Sequence, residues 1–286
     1  MSGERILLTG GSGFLGSRLA LMAAARGHRV WATHLNNPVP EADGVTPVRL
    51  DLAGRAAGME SLLAEVSPTL VLHLAYSMTD AALNIEATSR LTSTCAAMKQ
   101  QPFFLYTSTD LVFDGRRGNY AEDDEPRPVL EYGRQKLEAE RVVRAALPGA
   151  AVVRPSLIYD LSRLPRHLSF AVRATERGEE FTFFTDEYRC PVLADELAGA
   201  VLELAVRRLE GTWHAAGADR VDRWWFGTRL LAALRKPVSL ARRGLSADLP
   251  GERPSDCSFD SGKLYQLLGS PLSGARQVLG LIEVEE

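Results

Sequence analysis

At 286 residues and 45% hydrophobic content, the chain can bury a sizeable core, as one large α/β domain or one domain with a smaller appendage. A formal net charge of −3 argues against nucleic acid as a partner, and no run of about 20 apolar residues offers a membrane span. Cys95, Cys190 and Cys257 are widely spaced with no C-x-x-C pair, which fits a reducing cytoplasm, and the five histidines form no H-x-x-x-H or His/Cys cluster, so no metal site is expected.

The first predicted element is a short apolar strand, Arg5 to Thr9, followed by Gly10-Gly11-Ser12-Gly13-Phe14-Leu15-Gly16 and a helix from Ser17 to Arg26. Glycines 10, 13 and 16 have the spacing G-x-x-G-x-x-G, a variant of the dinucleotide fingerprint. Glycine is needed there because the chain must turn tightly, approach a pyrophosphate closely and pack helix on strand, while the helix N-terminus supplies amides. Leu19 to Ala25 looks like a signal-peptide core, but the glycine loop already starts at residue 10, so the run reads as the buried face of this helix. Gly27 is a suitable stop signal.

His28 to His34 reads as a second strand. Its end is where an acid would grip the adenosine ribose of NAD, and here stand Thr33, His34, Leu35 and Asn36. Val45 to Leu50 is a third strand leading into Asp51-Leu52, Met59 to Val66 a helix, and Thr69 to Ala75 a strand apolar enough to be buried on both faces. A helix follows over Asn84 to Lys99, then an apolar and aromatic strand from Phe103 that ends at Thr107-Ser108-Thr109. The stretch 114–131 is too polar and broken to be an element, and is expected to line the mouth of the site.

Glu131 to Leu147 has helical periodicity, and Ala151 to Pro155 is a sixth strand. The alternation predicts a Rossmann-type, doubly wound parallel sheet of order 3-2-1-4-5-6, with residues 1–155 as the nucleotide-binding domain. Residues 156–286 are predicted to form a smaller substrate-binding region over the carboxyl edge of that sheet. Its elements are a helix near Pro165 to Arg177, a strand Phe181 to Phe184, a helix from Asp195 to about Arg208, a strand Thr212 to Ala215 and a helix Asp222 to Arg235. Trp224-Trp225-Phe226 reads as packing.

Tyr132 and Lys136 leave one face of the predicted helix, placing a phenol beside an ammonium. A free tyrosine has a pKa of about 10, and a nearby cation favours the phenolate, which suits the pair to proton transfer at neutral pH. A Thr or Ser hydroxyl from the Thr107-Ser108-Thr109 run could hydrogen-bond the ketone oxygen that such a phenol would protonate while a hydride reaches its carbon.

Together T-G-G-S-G-F-L-G, D-L at 51–52, L-H-L-A at 72–75, N-I-E-A-T at 84–88, S-T-D-L-V-F-D-G at 108–115, E-D-D-E-P-R-P at 122–128 and Y-G-R-Q-K resemble the extended short-chain dehydrogenase/reductases. The branch they are most similar to is the dTDP-4-dehydrorhamnose reductase (RmlD-like) group, and R-P-S-L-I-Y, C-P-V-L-A-D-E-L-A, G-T-W-H-A-A-G and R-P-S-D extend the likeness along the chain. The resemblance implies an NAD(P)-dependent reductase in which Thr109 polarises the substrate, Tyr132 is the general acid and Lys136 its electrostatic partner, with Ser108 as the competing hydroxyl. It implies cofactor contacts from Gly10, Gly13, Gly16, Asp51, Leu52, Ala75, Tyr132 and Lys136, with Phe14 and Leu15 of the same loop counted among them. Asp110 belongs to the motif, with loop structure or capping as its alternative role.

His34 in place of an acid favours NADP(H) over NAD(H), with Arg18 or Asn36 close by in sequence. The expected substrate is a small molecule, the 4-keto group of a nucleotide-linked deoxy sugar, whose diphosphate Arg154, Arg166, Arg173 or Arg189 would contact. The dehydratases of the superfamily carry an Asp-Glu pair where Asp110-Leu111 stands here. An NAD-retaining epimerase, a reductase of a small non-nucleotide carbonyl compound and a non-catalytic nucleotide-binding regulatory subunit are the alternatives. The assembly left open is a homodimer.

Overall fold

The structure, a computed structural model, describes residues 3–54, 56–282 and 284. In chain order its strands and helices begin β1 (Arg5–Thr9), α1 (Phe14–Ala25), β2 (Arg29–His34), β3 (Val45–Arg49), α2 (Ala56–Val66) and β4 (Leu70–His73). A π-helical turn (Ala82–Glu86) leads into α3 (Ala87–Ala97), then β5 (Phe103–Thr107), a 3-10 turn (Asp110–Val112), α4 (Glu131–Ala146) and β6 (Ala151–Pro155). Next come β7 (Ile158–Tyr159), α5 (Ser169–Glu176), β8 (Phe181–Phe184), β9 (Tyr188–Arg189), β10 (Val192–Leu193), α6 (Ala194–Val206) and β11 (Gly211–Ala215). The chain closes with β12 (Val221–Asp222), α7 (Arg223–Ala233), β13 (Ala241–Gly244), α8 (Gly262–Leu268) and α9 (Ala275–Leu279).

The main sheet has the order β11-β6-β5-β4-β1-β2-β3, and β3, β2, β1, β4, β5 and β6 pair in parallel. The predicted order therefore stands, with one addition: the strand at Thr212 to Ala215, expected in the C-terminal region, joins the main sheet outside β6. The central strands are apolar without alternation because helices cover both faces, and every residue of β4 and β6 is buried. Pro47 lies in β3, at the sheet edge, where a missing amide costs no ladder bond. Gly27 ends α1 in the left-handed region at φ +82°.

Two compact units emerge, Met1–Thr109 with Glu131–Arg154 and Leu197–Trp213, and Asp110–Leu130 with Pro155–Glu196 and His214–Glu286. The first contains a core of Leu7, Leu63, Val71, Leu91, Phe104, Val143 and Val152. The second is built around Tyr159, Phe181, Phe183, Phe226, Leu230 and Leu231, with Trp224 and Trp225 packed against them. In it Asp222 caps α7 by accepting the Trp225 amide at 2.7 Å.

Candidate active site

The glycine loop sits at the carboxyl end of β1. Gly10 has φ +72°, and a side chain there would put its Cβ 2.9 Å from the Ala75 nitrogen. A Cβ on Gly16 would lie 2.1 Å from the Gly10 oxygen, so α1 can start this close to the loop only without one. Gly13 is the N-cap of α1, with no side-chain cap and no acidic residue in the first turn. Phe14 and Leu15 open the helix, and Leu15 is buried. A bare helix N-terminus over a glycine cradle fits a dinucleotide pyrophosphate.

The Gly11 amide donates to the Thr33 carbonyl at 2.9 Å, tying the loop to the end of β2. There His34 is half-buried, and its Nδ1 is buried without a hydrogen-bond partner. Asp51 accepts the Ala53 amide at 3.0 Å, while Leu52 is buried and its carbonyl accepts from Arg90 at 2.7 Å. Ala75 is half-buried, and its amide donates to Thr9 Oγ1 at 3.3 Å.

From Thr9 a chain of buried polar groups crosses the first unit. Thr9 Oγ1 and His73 Nδ1 are 2.6 Å apart, His73 Nε2 and Thr88 Oγ1 are 2.9 Å apart, and the Thr88 hydroxyl donates to the Asn84 carbonyl at 2.8 Å. With Thr88 spending its hydrogen on Asn84, it accepts from His73, so the His73 proton is assigned to Nε2 and Thr9 donates to Nδ1. Burial holds the His73 pKa down to about 3, with the Lys136 charge acting in the same direction, so the ring is neutral. Asn84 then donates to Gln135 Oε1 at 2.8 Å, bringing the chain to α4.

On α4, Tyr132 is half-buried, with its ring centroid 6.0 Å from that of Tyr76. Lys136, one turn on, is buried. Its Nζ donates to the Thr107 carbonyl at 2.7 Å and lies 4.1 Å from the centre of the Tyr106 ring. Burial pushes its pKa down to about 7, opposed by the negative charge of Glu140. Ser108 and Thr109 lie just beyond β5, both buried, and the Ser108 hydroxyl donates to Glu140 at 2.6 Å.

Glu140 also receives Arg154 at 2.9 and 2.8 Å and Arg144 at 3.1 Å. Burial works against its charge, but these guanidiniums and the Ser108 hydroxyl hold its pKa below the ordinary carboxylate value.

These contacts correct two of the proposed phosphate ligands. Arg154 is buried, with its bidentate edge occupied by Glu140. In the second unit, Arg189 is buried and donates to the carbonyls of Tyr188, Ser255 and Pro254, 3.6 Å from Asp110. Asp110 in turn accepts the Ser156 hydroxyl at 2.9 Å, a structural role. Arg166 and Arg173 are exposed.

Cys95, Cys190 and Cys257 are free and buried, and burial raises their thiol pKa values to about 12, 11 and 12. Among the described residues, no helix is long and apolar enough to cross a membrane, and no group of three or more His, Cys, Asp or Glu is placed to hold a metal ion.

The family described as "RmlD substrate binding domain" matches residues 4–282. The chain belongs to the RmlD family of the extended short-chain dehydrogenase/reductases. As an RmlD-family member it is an NAD(P)-dependent oxidoreductase. It is 31% identical over 280 residues to the probable low-salt glycan biosynthesis reductase Agl14 of Haloferax volcanii, covering 92% of this chain and 91% of the relative. It is 26% identical over 286 residues to methionine adenosyltransferase 2 subunit beta of Xenopus tropicalis, covering 93% and 83%. The dTDP-4-dehydrorhamnose reductase of Bacillus anthracis, solved in complex with NADP, superposes with a TM-score of 0.79 over 98% of each chain at 19% identity, and so shares the RmlD fold.

His73, Asn84, Gln135 and Glu140 were not singled out as site residues in the sequence. Glu140 carried a signal, falling four residues after Lys136 on the same helix face. His73, Asn84 and Gln135 stand inside the motifs L-H-L-A, N-I-E-A-T and Y-G-R-Q-K, but spacing gave them no partners, because those come from different elements.

Proposed function

We propose that this RmlD-family protein reduces the 4-keto group of a nucleotide-linked deoxy sugar, with Tyr132 as proton donor, Thr109 as the polarising hydroxyl and Lys136 as the cation beside the phenol. The observation that carries this reading is Lys136, buried and held by the Thr107 carbonyl on the helix face it shares with Tyr132. A cation fixed there stabilises the phenolate left when Tyr132 gives its proton to the substrate oxygen. Thr109 is preferred to Ser108, whose hydrogen is committed to Glu140.

Gly10, Gly13, Phe14, Leu15 and Gly16 would hold the dinucleotide pyrophosphate, Asp51, Leu52 and Ala75 would contact other parts of the cofactor, and Lys136 would hold the nicotinamide ribose. When bound, the reduced nicotinamide supplies the hydride. NADP(H) is preferred to NAD(H) because the end of β2 presents no carboxylate to repel a 2′-phosphate, and His34 offers an unpartnered ring nitrogen there. The free, buried thiols suit a cytoplasmic protein.

Calorimetry with dTDP and UDP in the presence of NADPH tests the substrate class. Binding tighter than millimolar by either nucleotide supports it. If neither binds in that range, the diphosphate sugar is dropped and small ketones are assayed. The likeness to a methionine adenosyltransferase subunit favours one second reading, a regulatory subunit, which would bring down a stoichiometric partner enzyme from its native host.

A further inference from the structure

Glu140 is fully buried at the centre of the first unit, two turns along α4 from Tyr132 and one turn from Lys136. A lone buried carboxylate would be costly, yet this one is saturated with donors: the Ser108 hydroxyl from the end of β5, the Arg154 fork from β6 and Arg144 from its own helix. Ser108 is held a second time, its amide donating to the Val153 carbonyl at 2.7 Å. The residue before Ser108 supplies the carbonyl that receives Lys136, and the residue after it is Thr109.

We propose that Glu140 is a positioning residue for the reduction: by fixing Ser108 it sets the Thr107 carbonyl and the Thr109 hydroxyl relative to α4, and its charge keeps Lys136 cationic. The proposal rests on the reductase reading for its consequence in catalysis, but its electrostatic part does not require a substrate. Among the described residues, Glu140 is the carboxylate whose charge favours the Lys136 ammonium. The others facing Lys136 are the Tyr106 ring from β5 and the neutral His73 from β4, with Tyr132 one turn away on its own helix, while Arg154 and Arg144 are held on Glu140. None of these replaces the negative charge. Burial alone disfavours the ammonium, so removing that charge should leave Lys136 neutral at a lower pH.

The test uses protein labelled with carbon-13 in the lysine side chains, with the Lys136 signal assigned by Lys136→Arg. In Glu140→Gln the Lys136 titration should fall by about one unit, and turnover of dTDP-4-dehydrorhamnose with NADPH at pH 7 should fall about fivefold, the drop in the cationic fraction of a group that titrates near 7, its alkaline limb moving down with the titration. A simple loss of folding would lower turnover without moving that limb. An unshifted Lys136 titration overturns the electrostatic part. Glu140→Asp keeps the charge but shortens the reach, so its titration should stay near wild type while kcat falls. Wild-type kcat in Glu140→Asp overturns the positioning part, and should Glu140→Gln fail to fold, the paired replacement Glu140→Gln with Arg154→Met, which strands no buried guanidinium, reads the electrostatic part by the same Lys136 titration. If dTDP-4-dehydrorhamnose is not turned over by wild type, the substrate assignment fails, while the titrations still decide the Glu140 to Lys136 coupling.

Discussion

Asn84 and Gln135, 51 positions apart, share a 2.8 Å hydrogen bond in the interior of the first unit. Asn84 lies in the π-helical turn before α3, where the Ala87 amide reaches back to the Ala82 carbonyl, and Gln135 immediately precedes Lys136. The Asn84 amide also donates to the Ser77 carbonyl at 2.7 Å, and its Oδ1 accepts the Ser77 amide at 2.9 Å. One side chain therefore joins the segment after β4 to the helix that carries Tyr132. Asn84→Ala leaves Gln135 and the Ser77 backbone without these partners inside the protein. It should cost about 1–3 kcal/mol of stability, read by chemical denaturation. An unchanged denaturation midpoint would mean the link does not constrain the fold.

Tyr132→Phe keeps the ring beside Tyr76 and removes only the phenol. Turnover should drop by ~10²–10⁴ while NADPH affinity, measured by fluorescence titration, stays within about twofold. Normal turnover in this variant would remove Tyr132 as the proton donor.

Gly16→Ala tests the cofactor cradle. Its Cβ would fall 2.1 Å from the Gly10 oxygen, which forces the loop away from α1. Loss of NADPH binding by about tenfold or more, in a protein that still melts cooperatively, is the expected outcome. The same titration with NADH in wild type tests the His34 preference, and tighter NADH would reverse it.

His73 makes the fold sensitive to acid. Its pKa falls from 6.5 to about 3 on folding, so between those values the unfolded chain binds the extra proton. The stabilisation from the neutral ring is complete above pH 6.5 and is lost as pH falls towards 3, at up to about 1.4 kcal/mol per unit. His73→Gln, which does not titrate there, should flatten that part of the stability profile, and an unchanged slope would contradict the assignment.

Lys136 acts at the other end of the scale. With a pKa of about 7 when folded, against an ordinary lysine value of 10.5, it binds fewer protons in the folded state between those values. Stability from this group therefore rises with pH from 7 towards 10.5, again by up to about 1.4 kcal/mol per unit. Lys136→Met should remove that rise in denaturation midpoints measured at pH 7 and pH 9.

Local pattern in the chain specified the order of the six parallel strands and the steric character of the glycine loop. Central strands such as Leu70–His73 and Ala151–Pro155 are apolar on both faces, and Gly10, Gly13 and Gly16 bear a steric requirement that local spacing expresses. The turn between Tyr132 and Lys136 was equally legible, because an α-helix sets neighbours four apart on one face. The tertiary structure alone decided where β11 pairs, that Arg154 faces Glu140, and that a neutral His73 links Thr9 to Thr88. Each of these depends on which distant group shares a dry interior. Inside it, an unpaired charge or hydroxyl costs far more than on the surface, so partners are chosen by the packing of elements and leave no periodic trace in the chain.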